Sequence, residues 1–402
     1  MKMRIPALAA ALLLAAVPVS AESISGDISA DGICSMADAL LLQTWLTADP
    51  DAVLPQPDAA DLSGDGKLNA TDLTLLLQML AQAPHRTVDV TDIAQLFAAV
   101  RGAEPGDVIR IAPGTYDYTP YQGAQKIDTD AAGTASAPIT LTALDPDNPP
   151  VLTGSSAENG YVLHIKGAYW ILDHLICKQS QKGIVLDHAS HSVIRNCEIC
   201  ETGAEAVAIR DGSSDCTVSA CSIHDTGLVT PGYGEGVYIG SAVSVKGFDY
   251  KCDRNKVLDC TFRNIAAEHV DVKEFTTGTE IARCTFFGDG MTGENYAGSF
   301  IDIAGNDCFV HHNAGFRNQN PQIVAAFEIH DQAEGWGYHA VFSHNTLYMD
   351  RAYGEPDPSR RMYVVDGWFS DFTVCDNQVD YGEGLIAAQP EHYNSDYVIF
   401  AD

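Results

Sequence analysis

Short triplets of the form apolar–variable–apolar recur along most of the chain: Leu163-His164-Ile165, Ile184-Val185-Leu186, Val207-Ala208-Ile209, Val237-Tyr238-Ile239, Val270-Asp271-Val272, Ile301-Asp302-Ile303, Phe327-Glu328-Ile329 and Tyr363-Val364-Val365. They begin 21 to 36 residues apart, a recurrence that marks a solenoid of stacked coils. Side chains alternate between the faces of a strand, so the outer two residues of each triplet point inward and the middle one outward. A second phrase follows the triplets, as in Ile194-Arg195-Asn196-Cys197-Glu198-Ile199, and aligns one inward column as Cys197, Cys221, Cys260, Cys284, Asn313, Asn345 and Asn377. Coils stacked ~4.8 Å apart bring such cysteines within Cα reach of a disulfide. The favoured reading is packed thiols, small buried hydrophobes beside a ladder of amides; because they are stacked rather than convergent, they do not predict a metal centre. Ahead of the repeat, residues 91–100 predict a short capped helix.

The N-terminal part follows another pattern. Residues 27–38 and 61–72 are 12-residue loops with oxygen side chains at positions 1, 3, 5, 9 and 12: Asp27, Ser29, Asp31, Ser35 and Asp38, then Asp61, Ser63, Asp65, Asn69 and Asp72. Glycine stands at position 6 of both, and Lys67 at position 7 of the second is counted through its backbone. This is EF-hand loop spacing, with Asp rather than Glu at position 12. Each loop runs into an apolar helix, over 39–46 and 73–80. Two such units 34 residues apart resemble the type I dockerin family over about residues 24–84. The resemblance implies a small all-α module that folds around Ca2+ and docks to a cohesin domain of a scaffoldin, with recognition at loop positions 10 and 11. Those pairs, Met36-Ala37 and Ala70-Thr71, differ, which argues against a symmetric dual binding mode.

Residues 1–21 begin with Lys2 and Arg4, continue through an apolar stretch and end in Val19-Ser20-Ala21, the form of a secretory signal. No later apolar run reaches the ~18 residues of a membrane span. The expected division is therefore a signal at 1–21, a dockerin-like module at 22–84 and a coil domain at 85–402, in a secreted, extracellular, cellulosome-attached protein. The net charge of −31 excludes nucleic acid and anionic membranes as partners and suits calcium. Eleven cysteines, an odd number, do not read as a simple disulfide framework.

Stacking the triplets maps one outer face. The middle column reads His164, Val185, Ala208, Tyr238, Asp271, Asp302, Glu328, Val364; two residues on lie Lys166, Asp187, Arg210, Gly240, Lys273, Ala304, His330 and Asp366; and Glu205, Glu235 and Glu268 precede three successive triplets. Carboxylates on neighbouring rungs repel unless a cation neutralises them, so Glu268, Asp271 and Asp302 are candidate calcium ligands. Lysine within such a site points to β-elimination from a uronic acid, calcium stabilising the enolate-like charge. Lys273 is the candidate base, and His330 and Arg210 are candidates to orient substrate. Glu235, Tyr238, Glu328 and Trp336 are candidate substrate contacts; Tyr338, Tyr353 and Trp368 are further rings that could stack on sugars. Insertions at 226–235, 289–298 and 351–361 are expected to form the walls. The capped helix followed by Pro105-Gly106-Asp107-Val108-Ile109 resembles the start of pectate-lyase-like right-handed parallel β-helices, and the resemblance covers about residues 88–402. It implies an all-β fold and a calcium-dependent lyase acting on a pectin-like polysaccharide. Two alternatives stay open: a glycoside hydrolase using Asp271 and Glu328, since carboxylates ~6.5–9.5 Å apart suit inversion, and a non-catalytic carbohydrate-binding β-helix.

Overall fold

The computed structural model describes residues 25–30, 34, 36–47, 52–81, 86–121, 126–350, 362–367, 371–395 and 397–401. The signal segment, Asp31, Ser35, the 351–361 insertion with Tyr353, and Trp368 lie outside the described residues. Two compact units divide the chain, Met1–Pro84 and His85–Asp402.

In the first unit the helices Met36–Leu46 and Ala70–Ala81 pack around Ile28, Ala39, Leu42, Ala60 and Leu76. The two loops repeat one bond: Asp38 accepts from the Ser29 amide at 2.8 Å, and Asp72 from the Ser63 amide at 3.0 Å. Asp27, Asp38 and Asp72 are buried. Gly66 takes φ +75° at position 6, where the loop turns back and a side chain would be strained.

The second unit is a parallel β-helix of three sheets with twelve, ten and eleven strands among the described residues. Each coil contributes one strand to each sheet, and the pairing is parallel throughout except where Gln378–Asp380 meets Ile386–Ala387. The helix Ile93–Arg101 covers the first coils. Its N-cap Asp92 accepts from the Gln95 amide at 2.9 Å, and Leu96, Phe97 and Val100 complete the core.

The cysteine–asparagine column sits at the bend between two sheets. Each member follows a residue in the left-handed region, from Asn196 (φ 53°) to Asp376 (φ 50°). All the cysteines are free thiols. Cys197 Sγ donates to the carbonyls of Arg195 and of Leu172 one coil back, at 3.1 and 3.7 Å. Asn313 Nδ2 donates to the equivalent carbonyl of Ile281 at 3.0 Å, so thiol and amide do the same work.

The register corrects one position. Glu328 pairs with Asp366, and Val364 lies buried between Tyr363 and Val365, which pair with Ala325 and Phe327. An uninterrupted apolar run, Met362 to Val365, let the triplet be placed two residues early. The outward acidic column therefore reads Asp271, Asp302, Glu328, Asp366.

Candidate active site in the groove of the ten-stranded sheet

The strands Val237–Ile239, Val270–Val272, Ile301–Ile303, Ala325–Ile329 and Tyr363–Asp366 lie side by side, so alternation sets Tyr238, Asp271, Asp302, Glu328 and Asp366 in one row on the outer face. A groove of about 650 Å³ runs over this row, floored by Glu235, Glu268, Asp271, Lys273, Asp302, Glu328 and His330. Its walls come from 242–244, from Asn295 and Tyr296, and from Gln332. A second basin of about 410 Å³ shares Glu235 and Lys273 and reaches Lys182, Glu205, Arg210, Tyr233 and Tyr238.

Glu235, Glu268 and Asp271 each bring a carboxylate oxygen within 4.8 Å of the others, and all three are buried. Glu235 Oε2 and Asp271 Oδ1 have no hydrogen-bond partner. Burial, then the charge of Asp271, pushes Glu235 up to about 8 and Glu268 well above the usual carboxylate range; burial lifts Asp271 to about 6. Orphaned, buried, all-oxygen donors at this spacing fit a hard divalent cation such as calcium.

Lys273 Nζ lies 2.6 Å from Asp271 Oδ2 and 5.4 Å from the centre of the Tyr238 ring. Burial opposes its charge, but Asp271 and Asp302 outweigh burial and hold it as an ammonium. His330 Nε2 pairs with Asp302 at 2.7 Å; burial works against this proton too, yet Asp302 raises His330 to about 9. Burial and Asp302 push Glu328 up to about 8.

Of the residues singled out from sequence, Glu235, Glu268, Asp271, Lys273, Asp302, Glu328 and His330 meet in the groove. Glu235 joins Glu268 and Asp271 in the carboxylate trio, where Asp302 had been expected; Asp302 instead turns to His330. Arg210 faces the second basin, paired with Asp187 at 2.9 Å. Trp336 is not among the groove-lining residues described: its ring meets Phe275 edge-on at 5.3 Å. Sequence reasoning missed the 242–244 wall, which is tied down where Glu274 accepts from the Val243 amide at 2.5 Å. The 289–298 insertion, expected to form a wall, supplies Asn295 and Tyr296, both left-handed without being glycine (φ 56° and 68°). Asn295 Nδ2 donates to Gly232 at 3.0 Å, joining two inserted loops. The Tyr296 ring stands 94 % exposed on the groove rim.

A right-handed parallel β-helix hosts several chemistries, and comparison with known proteins gives the family of this one. Residues 83–230 match the Pel9A-like right-handed β-helix region, 161–319 the right-handed β-helix region and 25–81 the dockerin type I domain. An alginate lyase from Paenibacillus sp. str. FPU-7 is 37 % identical, with 78 % of this chain and 99 % of that one covered and a TM-score of 0.70. The chain belongs to that enzyme's family of β-helix polysaccharide lyases and carries a type I dockerin ahead of the β-helix. A rhamnogalacturonan lyase (13 % identity, 78 % and 87 % covered, TM-score 0.51) and a GH136 lacto-N-biosidase from Eubacterium ramulus (10 %, 82 % and 70 %, 0.50) share the fold alone. No curated protein matches the chain.

Proposed function

We propose that the groove cleaves a uronic-acid polysaccharide by β-elimination. The observation that carries this reading is Lys273, half-buried between a tyrosine ring and a carboxylate trio on the groove floor. Elimination needs the uronate carboxylate neutralised, the C5 proton removed and the leaving O4 protonated. A Ca2+ held by Glu235, Glu268 and Asp271 would neutralise the substrate carboxylate and offset the negative field around Lys273. Lys273 Nζ is the base toward C5. Tyr238, its phenol kept protonated by burial and by Asp271, is the acid toward O4. His330, an imidazolium at neutral pH, and Arg210 in the adjoining basin bind carboxylates of neighbouring sugars, competing with Asp302 and Asp187 for them.

Because the 37 % identical relative is an alginate lyase, alginate precedes pectin as the substrate to test. The dockerin, its loops filled by Ca2+, would anchor the exported protein to a cohesin on a scaffoldin. No helix among the described residues is long and apolar enough to cross a membrane.

The test uses the full-length, calcium-loaded protein on alginate, de-esterified pectin and chondroitin, following ultraviolet absorbance and reducing ends together. Absorbance should rise with the unsaturated product, and Lys273→Ala should abolish it while leaving the thermal transition in place. New reducing ends without absorbance would make the groove a hydrolase, and neither signal would make it a binding surface.

A further inference from the structure

A second cluster lies on another sheet of the β-helix, outside the groove. In the strand Glu198–Thr202 the side chains of Glu198 and Cys200 face outward while Ile199 enters the core. His224, in the strand Ser222–His224, lies beside Cys200 one coil further on. Glu198 Oε1 is 3.6 Å from His224 Nε2 and 3.7 Å from Cys200 Sγ, and the three donor atoms fall within 4.8 Å of one another. A tetrahedral zinc ion with bonds of ~2.0–2.3 Å holds its ligand atoms roughly 3.3–3.7 Å apart. Two of the three separations are thus at zinc spacing, and the third, between Cys200 and His224, is within 4.8 Å.

We propose that Glu198, Cys200 and His224 bind a zinc-class divalent ion that clips two successive coils together on the outer face of the eleven-stranded sheet. Three surroundings support this besides the spacing. His224 Nδ1 lies 2.7 Å from Asp225 Oδ2; donation to that carboxylate fixes the tautomer and turns the Nε2 lone pair toward the other two donors, as metal-bound imidazoles are held. Cys200 is only 2 % exposed, so its sulfur is shielded from oxidants yet adjoins the other two ligands. The flanking cations are drawn away: Lys178, in register with Cys200, pairs with Glu201 at 3.1 Å, and Arg263, in register with His224, lies over the Phe287 ring at 3.6 Å. With Lys178 balanced by Glu201, a thiolate and the Glu198 carboxylate neutralise a divalent ion. A mixed nitrogen, sulfur and oxygen donor set selects zinc-like ions over calcium, which separates this site from the all-oxygen trio. His224 and Glu198 are 27 % and 44 % exposed at the side chain, so the fourth position opens to solvent and takes water.

The probe is cobalt(II), which reports the same coordination spectroscopically. Full-length protein is stripped with chelator, returned to excess Ca2+ so that the oxygen sites are refilled, and titrated with Co2+ and then Zn2+. One equivalent of cobalt should produce a near-ultraviolet sulfur-to-cobalt band and tetrahedral visible bands, all displaced by one equivalent of zinc. Cys200→Ser should remove the sulfur band, His224→Gln should weaken binding at least tenfold, and Asp225→Asn should weaken it about tenfold by freeing the imidazole. Glu235→Gln should leave the titration unchanged. Absence of the sulfur band in the wild type overturns the proposal without any variant having to fold. So does a band that survives Cys200→Ser, which would place the metal on another thiol such as Cys34.

Discussion

Replacing Glu235 by Gln tests the reading of the carboxylate trio through stability alone, without a substrate. Glu235 moves from 4.5 to about 8, chiefly through burial and then through Asp271. At ~1.4 kcal/mol per pH unit this difference of about 3.5 units is worth about 5 kcal/mol. Below pH 4.5 the carboxyl is protonated whether the chain is folded or not, and the term vanishes. Between 4.5 and about 8 the unfolded chain has lost this proton while the folded one keeps it, so raising the pH favours unfolding; above 8 the buried anion exists and the whole penalty applies. For a domain of this size roughly 2 °C corresponds to 1 kcal/mol. About 4 of these 5 kcal/mol fall between pH 5 and 8.5, so the chelator-treated wild type should lose about 8 °C from its β-helix transition over that range through this group. Glu235→Gln should decline less steeply, match the wild type near pH 5 and exceed it at pH 8.5. Calcium at a hundredfold excess over Kd should restore about 2.7 kcal/mol to the wild type and less to the variant, which has lost a charged ligand. Scanning calorimetry over that pH range, with and without Ca2+, reads all of this. A metal-free wild type whose transition is flat with pH, or a variant that falls as steeply, would refute the assignment of a strained acidic trio.

Three further outcomes follow from named contacts. The Asn345 side chain makes four buried hydrogen bonds, to Val310 O, Asn377 Oδ1, Asn313 N and Asn313 Nδ2; Asn345→Ala should cost about 3–5 kcal/mol by chemical denaturation, against about 1–2 kcal/mol for Cys260→Ala. Tyr296→Ala, which removes a ring with almost no packing of its own, should raise KM on the cleaved polymer two- to tenfold and leave kcat within twofold, the size of one stacking contact. Asp72 accepts from the amides of Ser63 and Asn69, which one carboxamide oxygen cannot reproduce; Asp72→Asn should lower the helical circular dichroism that calcium induces, while the near-ultraviolet signal of Trp170, buried in the β-helix, stays unchanged.

What could be read from the sequence follows from the geometry of the coils. A solenoid turns sequence period into spatial adjacency, so any residue inside a triplet could be placed against its neighbours before the structure was known, and Asp271, Asp302 and Glu328 do stack as their triplets imply. The placement slipped only at Val364, where four consecutive apolar residues satisfy two registers equally well and the chain just before them carries the longest insertion. From the sequence, Glu268 is joined with Asp271 and Asp302 as a calcium set and Glu235 is assigned to substrate, because period alone does not say which of several neighbouring carboxylates turn toward one another. Through space the trio crosses columns: Glu235 and Glu268 precede their triplets, while Asp271 is the centre of its own. Asp302 is claimed by His330, a pairing that depends on side-chain direction and leaves no mark in a period.

The 289–298 insertion was legible as a wall, but its conformation was beyond reach for a different reason. Tyr296 adopts left-handed backbone against its preference, at a cost of order 1 kcal/mol or more, beside Asn295, a residue that tolerates it, and the hydrogen bond from Asn295 to Gly232 across 63 residues helps to hold the pair there. Such a conformation is set by a tertiary contact between two loops and not by any local signal. The divide matters for function. The floor of the groove, with its carboxylates and Lys273, is written into the repeat and changes only if a coil changes, whereas Tyr296 and the 242–244 wall sit on insertions that can vary without disturbing a strand. On the proposed reading, the chemistry of elimination belongs to the coils and the choice of polymer to the loops. On that division, grafting the 289–298 loop from another member of the family should alter which uronate is cleaved before it alters whether one is cleaved.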